Sequence, residues 1–482
     1  MHTHLIQKQT VEVTVNGTAP QAMELQRQVS LLCESALPAA LERVLNLYGD
    51  DKSDIIIDYL TIDISSLRAG NFEEAFIPSV AAQLAAALQS RVRPKRSNTP
   101  APAYDGDLIV YKRDAQSVIE SRVELVFFHF LRTGVLLWWT SPDQAKSWEA
   151  AMLNLLSASH PVLDTLRITL LRHPAARQRF LFQFSSLWQQ QVLALLAPTA
   201  FAATQYVQQL LQHLSPTRFT ASKALFSRWQ VNVLLAPEKP LTSLIKDALT
   251  QLGYTQLPEL QALSLPALQQ RVSLLPLPDN PPLNTVAKAV FQLLQQPPAE
   301  KPVDLQDIQP PATDEEDGHY IHNAGLILLM PFVPTFLRHC GAAGETGILH
   351  EGYAVALLEY LASGRQGVGE QEMIFNKILC GIPIGQPVEK ITALAPEHME
   401  EADNLLRTVI SHWPVLQNTS PDGLRNSFLQ RAGKLSAKDG NWLLQVEQQS
   451  YDEWLLAELP WSFQVVGVPY GKNKKIIWTE WM

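Results

Sequence analysis

Charge is scarce in this sequence of 482 residues, where Asp, Glu, Lys and Arg together make up only 18%. The shortage falls on the basic side, with 38 Lys and Arg against 47 Asp and Glu and a formal net charge of -9. Phosphate binding is driven by surplus cations, so general affinity for nucleic acid is not expected. The one compact basic run, RVRPKR at Arg91–Arg96, reads as the solvated start of a linker. Cysteine is equally sparse. Cys33, Cys340 and Cys380 are odd in number and far apart, which argues against a disulfide framework and for a reducing compartment. The opening MHTHLIQKQTVEV runs straight into polar and β-branched residues and has no signal-peptide core. Nor is there a phosphate loop, a His-Glu-x-x-His, a Gly-x-Ser-x-Gly, a Cys-x-x-Cys or a calcium loop. Those absences remove the motif-based arguments for an enzyme.

Long hydrophobic runs are missing too. The most apolar stretch, NAGLILLMPFVPTFLRHC at Asn323–Cys340, has no charged side chain from Asn323 to Leu337. A membrane-spanning helix needs about 20 apolar residues, and this run reaches only about 15 and is broken by Pro331 and Pro334. It reads as a buried segment. The uncharged region from Phe180 to Thr217 is interrupted by Gln189, Gln190, Gln191, Pro198, Gln205, Gln208 and Gln209, as packed amphipathic helices would be. No membrane insertion is expected.

What is present, 46% hydrophobic residues over this length, suits two or three globular domains. The expected fold class is α+β and predominantly α-helical: a small α/β N-terminal unit, a helical middle and a mixed helix-plus-strand C-terminal domain. Residues 1–92 form the first. There Val11, Val13 and Val15 alternate with Glu12 and Thr14 as a strand would, and Leu60, Ile62 and Ile64 suggest a second strand. Leu25, Val29 and Leu32 recur at helical spacing, as do Leu37, Leu41, Val44 and Leu45, and Ile77, Val80, Ala81, Leu84 and Leu88 mark a closing helix. Residues 93–107 are a linker. The mostly helical middle covers 108–272, with Gly134 as a turn and a helix beginning at Ser141 that puts Trp148, Met152 and Leu155 on one face. Residues 273–318 form a Pro-rich, acidic linker whose one helix is TVAKAVFQLLQQ. In the C-terminal domain, 319–482, Ala354, Leu357, Leu358 and Leu361 form a helical stripe ended by Gly364. Met399, Ala402, Leu405, Leu406, Val409 and Trp413 form another. A third helix starts at Ser420. Asp439-Gly440 is a turn, Trp442, Leu444 and Val446 alternate as a strand, and Phe463, Val465 and the segment to Val468 are candidates to pair with it.

His319, His322, His339 and Cys340 carry donors of the right type for zinc. Structural zinc sites use paired short spacings, and adjacent His339 and Cys340 point apart in either helix or strand, so surface histidines beside a buried cysteine are the better reading. Cys380 in NKILCGIP reads as a small buried hydrophobe rather than a nucleophile. Glu400-Glu401 and Asp314–Asp317 read as solvated helix and linker charges. No cofactor, metal or catalytic residue is assigned.

In order along the chain, NAGLILLMPFVPTFLRHCG, AVALLEYLASG, NKILCGIP, ISHWPVLQNTSPDGLRNSFLQRAGKL, WLLQVEQQSYDEWLLAELPWSF and WTEW resemble the tape measure proteins of contractile injection systems. These systems are phage-tail-like, toxin-delivering particles. HLIQKQTVEV, DYLTIDISSL and FLRTGVLLWW are similar to that family as well, although Leu137 stands where proline usually precedes the tryptophan pair and PYGKNKKIIW replaces a more compact Pro-Trp turn. The resemblance implies a non-enzymatic ruler that lies in the inner tube during assembly and sets tube and sheath length. A baseplate-hub adaptor or cargo-loading protein of the same particle is the alternative. Implied partners are inner tube proteins, baseplate hub and spike proteins, the tube terminator and further copies of the chain in the lumen. The implied location is the bacterial cytoplasm during assembly and then the particle tube. Exposed apolar surface marks association, which makes Trp138, Trp139, Leu326, Met330, Phe332, Phe336, Trp413 and Trp461 the candidate interaction residues.

Overall fold

A computed structural model describes residues 18–48, 53–57, 71–92, 108–112, 115–137, 148–236, 239–273, 283–295, 318–416, 418–471 and 475–481, with 6, 9, 11, 13, 15, 60, 62–64, 67 and 140 singly. The described chain divides into two compact units, residues 1–123 and 124–482.

The first unit is built on three helices, α1 (Ala19–Ser35), α2 (Leu37–Tyr48) and α3 (Phe72–Val92). The Thr18 amide donates to Gln21 Oε1 at 3.0 Å, half of a capping box, at the start of α1. Leu37, Leu41 and Val44 on α2 pack against Phe72, Phe76, Val80, Leu84 and Leu88 on α3. Strands β1 (Ser53–Ile57) and β2 (Leu108–Lys112) form an antiparallel ribbon with Ser53 opposite Lys112 and Ile57 opposite Leu108.

The expected N-terminal α/β unit is therefore not what forms. Val11, Val13 and Val15 lie in no strand, and Glu12 and Thr14 fall outside the described residues. The strand expected at Leu60, Ile62 and Ile64 lies a few residues upstream. The consecutive isoleucines 55–57 make the ladder, and Leu60, Ile62 and Ile64 pack onto the helical core instead. A run of β-branched residues holds extended backbone better than a short alternation whose apolar members find a helix face to cover. The expected linker, 93–107, lies outside the described residues.

The second unit continues through α4 (Ala115–Thr133), whose C-terminal half belongs to it. Next come α5 (Trp148–Ala158), α6 (His160–Arg172), α7 (Pro174–Gln183), α8 (Ser186–Leu196), α9 (Pro198–Leu214), α10 (Pro216–Ala221), α11 (Lys223–Leu235), α12 (Leu241–Gln251), α13 (Pro258–Gln261), α14 (Leu265–Ser273) and α15 (Leu283–Leu294). Most are short for a physical reason. Pro161, Pro174, Pro198, Pro216 and Pro258 each occupy the first turn of a helix, where a missing N–H costs nothing, and each bars the preceding helix from running on. Trp148, Met152 and Leu155 do share the buried face of α5, while the expected cap Ser141 lies outside the described residues. Phe127, Phe180, Phe184 and Trp188 stack against one another beneath α4, with the Phe184 and Trp188 ring centroids 4.6 Å apart. Tyr206, Leu210, Leu244, Ile245, Leu249 and Val290 form a further core.

The remainder packs helices against a mixed sheet. Ala324–Leu329 is a tight 3-10 run, followed by α16 (Val333–His339), α17 (Glu351–Ser363), α18 (Ile374–Leu379), α19 (Pro396–His412) and α20 (Pro421–Leu424). The 3-10 run ends before Pro331, and Pro334 sits in the first turn of α16. Gly364 ends α17 in the left-handed conformation, φ 70°. Ser420 Oγ accepts from the Gly423 amide at 3.0 Å, but the helix it starts gives way to a wide π turn at Arg425–Leu429.

Strands β3 (His319–Ile321), β4 (Gly433–Lys438), β5 (Asn441–Val446), β6 (Val465–Gly467) and β7 (Ile476–Trp481) form a sheet in the order β3-β4-β5-β7-β6, with α21 (Asp452–Ala457) in the crossover. β4 and β5 are a hairpin turning at Asp439-Gly440. Trp442, Leu444 and Val446 face the core as their alternation predicts. The strand at Val465 does not pair with β5. The C-terminal strand β7 lies between them, parallel to β5 and antiparallel to β6, because its own alternation buries Ile477 and Thr479 over the same core.

Candidate functional site

Of the eight interaction residues expected from sequence, four build this core. Leu326, Met330, Phe336 and Trp413 are buried in it, and the Trp413 indole donates to the Leu455 carbonyl at 3.0 Å. Phe332 and Trp461 sit half-exposed at its rim, edge to face with centroids 5.0 Å apart, and Trp461 Nε1 donates to the Leu328 carbonyl at 2.8 Å. Trp138 and Trp139 lie outside the described residues.

The candidate metal and thiol groups are dispersed. Among the described residues no three His, Cys, Asp or Glu side chains could hold one ion. His322 pairs with Glu359, and His339 approaches Glu401 on the surface. Both C-terminal cysteines are free and buried. Burial, with the Glu401 charge adding to it, pushes the Cys340 thiol up to about 12, and burial raises Cys380 as well. Thiolate, the reactive form, is suppressed at both.

A feature that sequence reading missed ties the middle helices to the C-terminal region. Arg179 on α7, Glu370 just before α18, and Lys377 on α18 meet in a cluster closed to solvent. Arg179 Nε donates to Glu370 Oε1 at 3.1 Å, Nη1 to the carbonyls of Leu131 and Arg132 at 3.2 and 2.8 Å, and Nη2 to the Gly385 carbonyl at 2.5 Å. Lys377 Nζ donates to the same Glu370 oxygen at 2.5 Å and to the carbonyls of Ile384 and Gln386 at 2.8 and 2.7 Å. Gln183 accepts from the Glu370 amide and donates to the Val388 carbonyl. Burial lowers the pKa of both Arg179 and Lys377, and the charge of Glu370 opposes the shift in each. Among the described residues Glu370 Oε2 accepts no hydrogen bond.

Gly134, at φ 79°, closes the cluster. A Cβ there would fall 2.5 Å from Glu370 Oε1 and 2.6 Å from Arg179 Nη2, so no larger residue fits. The cationic donors end on backbone carbonyls or on Glu370, and all three charged side chains are shut away from any substrate. The arrangement fastens two parts of one compact unit.

A second buried carboxylate, Glu359 on α17, lies nearby in sequence. Burial alone would raise its pKa, but the hydrogen bond and charge of His322, then Arg365 and Ser363, outweigh it and hold Glu359 below the ordinary carboxylate value. Arg365 Nη2 reaches Glu359 Oε1 at 2.9 Å, and Asn323 Nδ2 reaches Oε2 at 3.1 Å. Beside this group a cleft of about 510 Å³ is lined by Trp148, Phe184, Arg365, Gly367, Glu372 and Lys390 among others. Several of its charges are committed to one another and to the backbone. Arg365 pairs with Glu372 at 3.0 Å, and Glu149 accepts from the Ser185 amide and hydroxyl.

No helix among the described residues is long and apolar enough to cross a membrane. A family model described as contractile injection system tape measure protein matches residues 3–481. No curated protein and no solved structure matches the chain.

Proposed function

The chain belongs to the contractile injection system tape measure protein family, and on that premise we propose that it works as a ruler inside the particle's inner tube. The single observation carrying this reading is the family match across residues 3–481. The family is a structural tape measure family and generally non-enzymatic. In the proposed mechanism the C-terminal region, 319–482, stays folded and anchors at the baseplate hub. The middle helices open along the lumen, and tube subunits add until the chain is covered and the terminator binds. The opening stretch runs from α5 to α15, residues 148–294. Kept helical at about 1.5 Å per residue, it spans about 220 Å. Fully extended at roughly 3.3 Å per residue, it reaches about 480 Å. Phe332 and Trp461, at the rim, are the expected interaction side chains available to a partner while the C-terminal region stays folded. Leu326, Met330, Phe336 and Trp413 become available only on opening.

A second reading is favoured by one observation: residues 124–482 form one compact unit, pinned through Arg179 and Glu370, as suits a folded hub adaptor or cargo-loading protein. Internal shortening separates the two. Removing a block from residues 273–318 should shorten particles by about 1.5 to 3 Å per residue deleted, depending on whether the block is helical or polyproline-like. Particles of unchanged length in electron micrographs, or none at all, would leave the adaptor.

A further inference from the structure

The five-stranded sheet buries one face only. Leu435, Trp442, Leu444, Val446 and Ile477 point into the core, and their neighbours in each strand point the other way. The pairing register sets those outward residues in rows across the strands. One row is Tyr320, Lys434, Gln445 and Glu480, and the next is Ser436, Leu443, Trp478 and Val465. Neither Leu443, Trp478 nor Val465 belongs to the core cluster beneath, and Val465 stays 60% and Tyr320 46% exposed. Lys438 lies over the half-exposed Trp478 ring and Leu443 beside it is half-buried, so the apolar patch is small; exposed apolar surface marks association.

We propose that this face receives a second copy of the chain, sheet against sheet, about a two-fold axis running along β5 in the plane of the interface. That operation keeps each row at its own level and reverses its order, so that β4 of one copy lies over β7 of the other. Two properties of the rows then become complementary. In the charged row, Lys434 on β4 faces Glu480 on β7 of the other copy, and the contact occurs twice. In the apolar row, size rises across the sheet from Ser436 through Leu443 to Trp478. Gly318, immediately before β3, continues the row, and the outward Lys434 side chain already lies over it. Reversal sets the bulky Trp478 over Ser436, while Leu443 meets its own copy on the axis. A face that is small at one end and large at the other packs evenly against itself in this orientation and in no parallel one. Sheets stacked face to face lie about 10 Å apart.

The size of the face sets the strength. At about 4.8 Å between strands and about 3.3 Å per residue it covers roughly 400 Å² per copy. A standard interface covers about 800 Å² per partner, so this one forms a weak, concentration-dependent dimer rather than a permanent one. The proposal does not depend on the ruler reading, and it can hold for a folded adaptor equally.

Sedimentation of the full chain over a concentration series tests it. Wild type should pass from monomer to dimer as concentration rises, and Leu443→Lys, which sets two cations against each other on the axis, should remain monomeric. Lys434→Glu and Glu480→Lys should each weaken the dimer about ten-fold, and the two together should restore it to within about three-fold of wild type. All three positions are on the outward face, and thermal melting of each variant checks that the fold is unchanged. Three results would each overturn the proposal: wild type that stays monomeric throughout, even if the same face captures another particle component; a dimer indifferent to these variants; or a double swap no better than its parents.

Discussion

Replacing Glu370 by Gln is the sharpest test of the buried charge cluster. The carboxylate bonds two cations that have lost their water, both through the same oxygen. Removing one partner of a buried ion pair leaves an uncompensated charge and costs about 3–5 kcal/mol. Glutamine keeps the shape and one carbonyl acceptor, so the loss is electrostatic rather than a cavity. Lys377→Met makes the contrast. It deletes one cation and leaves Arg179 and Glu370 as a balanced pair. It also strands the buried Ile384 carbonyl, a cost of about 1–3 kcal/mol, while the part-buried Gln386 carbonyl can turn to water. Urea unfolding followed by circular dichroism should therefore rank Glu370→Gln as the more damaging change. The pH dependence adds a second readout. Burial holds the Lys377 pKa below its ordinary 10.5, and Glu370 is the main influence opposing that shift. Between the folded and unfolded pKa values the unfolded chain binds more protons, so stability rises with pH. Without Glu370 the folded pKa drops further and the window widens. The deficit of the variant should thus narrow as pH is raised toward 10.5, without vanishing, because Arg179 stays charged. A deficit below about 1 kcal/mol, or one that ignores pH, would refute the account.

Three other outcomes follow from the same structure. Glu359 is held below the carboxylate value of 4.5, so it contributes stability above that pH that is lost as acidification passes its folded pKa. Glu359→Gln should flatten the acid limb of a stability-versus-pH curve, and an unchanged limb would contradict the assignment. Gly134→Ala should destabilise by about 2 kcal/mol or more, as read by thermal melting, from left-handed backbone strain plus contact with Glu370 and Arg179. Thiol labelling of the native protein at mildly alkaline pH should modify half-buried Cys33 well before Cys340 and Cys380, which react only on denaturation.

Where the sequence is legible, local physics decides the outcome. The α17 stripe at Ala354, Leu357, Leu358 and Leu361, its stop at Gly364 and the hairpin at Asp439-Gly440 all depend on residues within a few positions of one another. Local reasoning fails where partners are distant. Spacing along the chain pairs Val465 with the nearer strand, whereas β7, which buries Ile477 and Thr479, slips between β5 and β6. In the N-terminal unit, Leu60, Ile62 and Ile64 alternate as a strand would, yet the helical core of α2 and α3 takes them up. The charge cluster leaves still less trace. Arg179 and Glu370 lie 191 residues apart, and nothing local marks Arg179 as different from any other helix arginine. Gly134, legible only as a turn, is the one visible sign that two distant side chains close over that point.

The folded unit and the ruler reading impose a condition on each other. Residues 124–482 form one compact body. A body of that size has a radius of gyration of about 20 Å, so as it stands it can report no length much beyond its own width. A contour-based ruler therefore has to open, and the fold determines where opening is easiest. The C-terminal sheet draws β3 and β4 together across more than a hundred residues and threads β7 between β5 and β6, so it unravels only as a whole. The middle is made of short helices divided by prolines, most packed on near neighbours in sequence, and these can separate in succession. One fastening that joins the middle to the C-terminal region is Arg179, held there by Glu370 and the Gly385 carbonyl. A ruler of this kind would have to break the buried cluster at that boundary before the middle helices part from the C-terminal region.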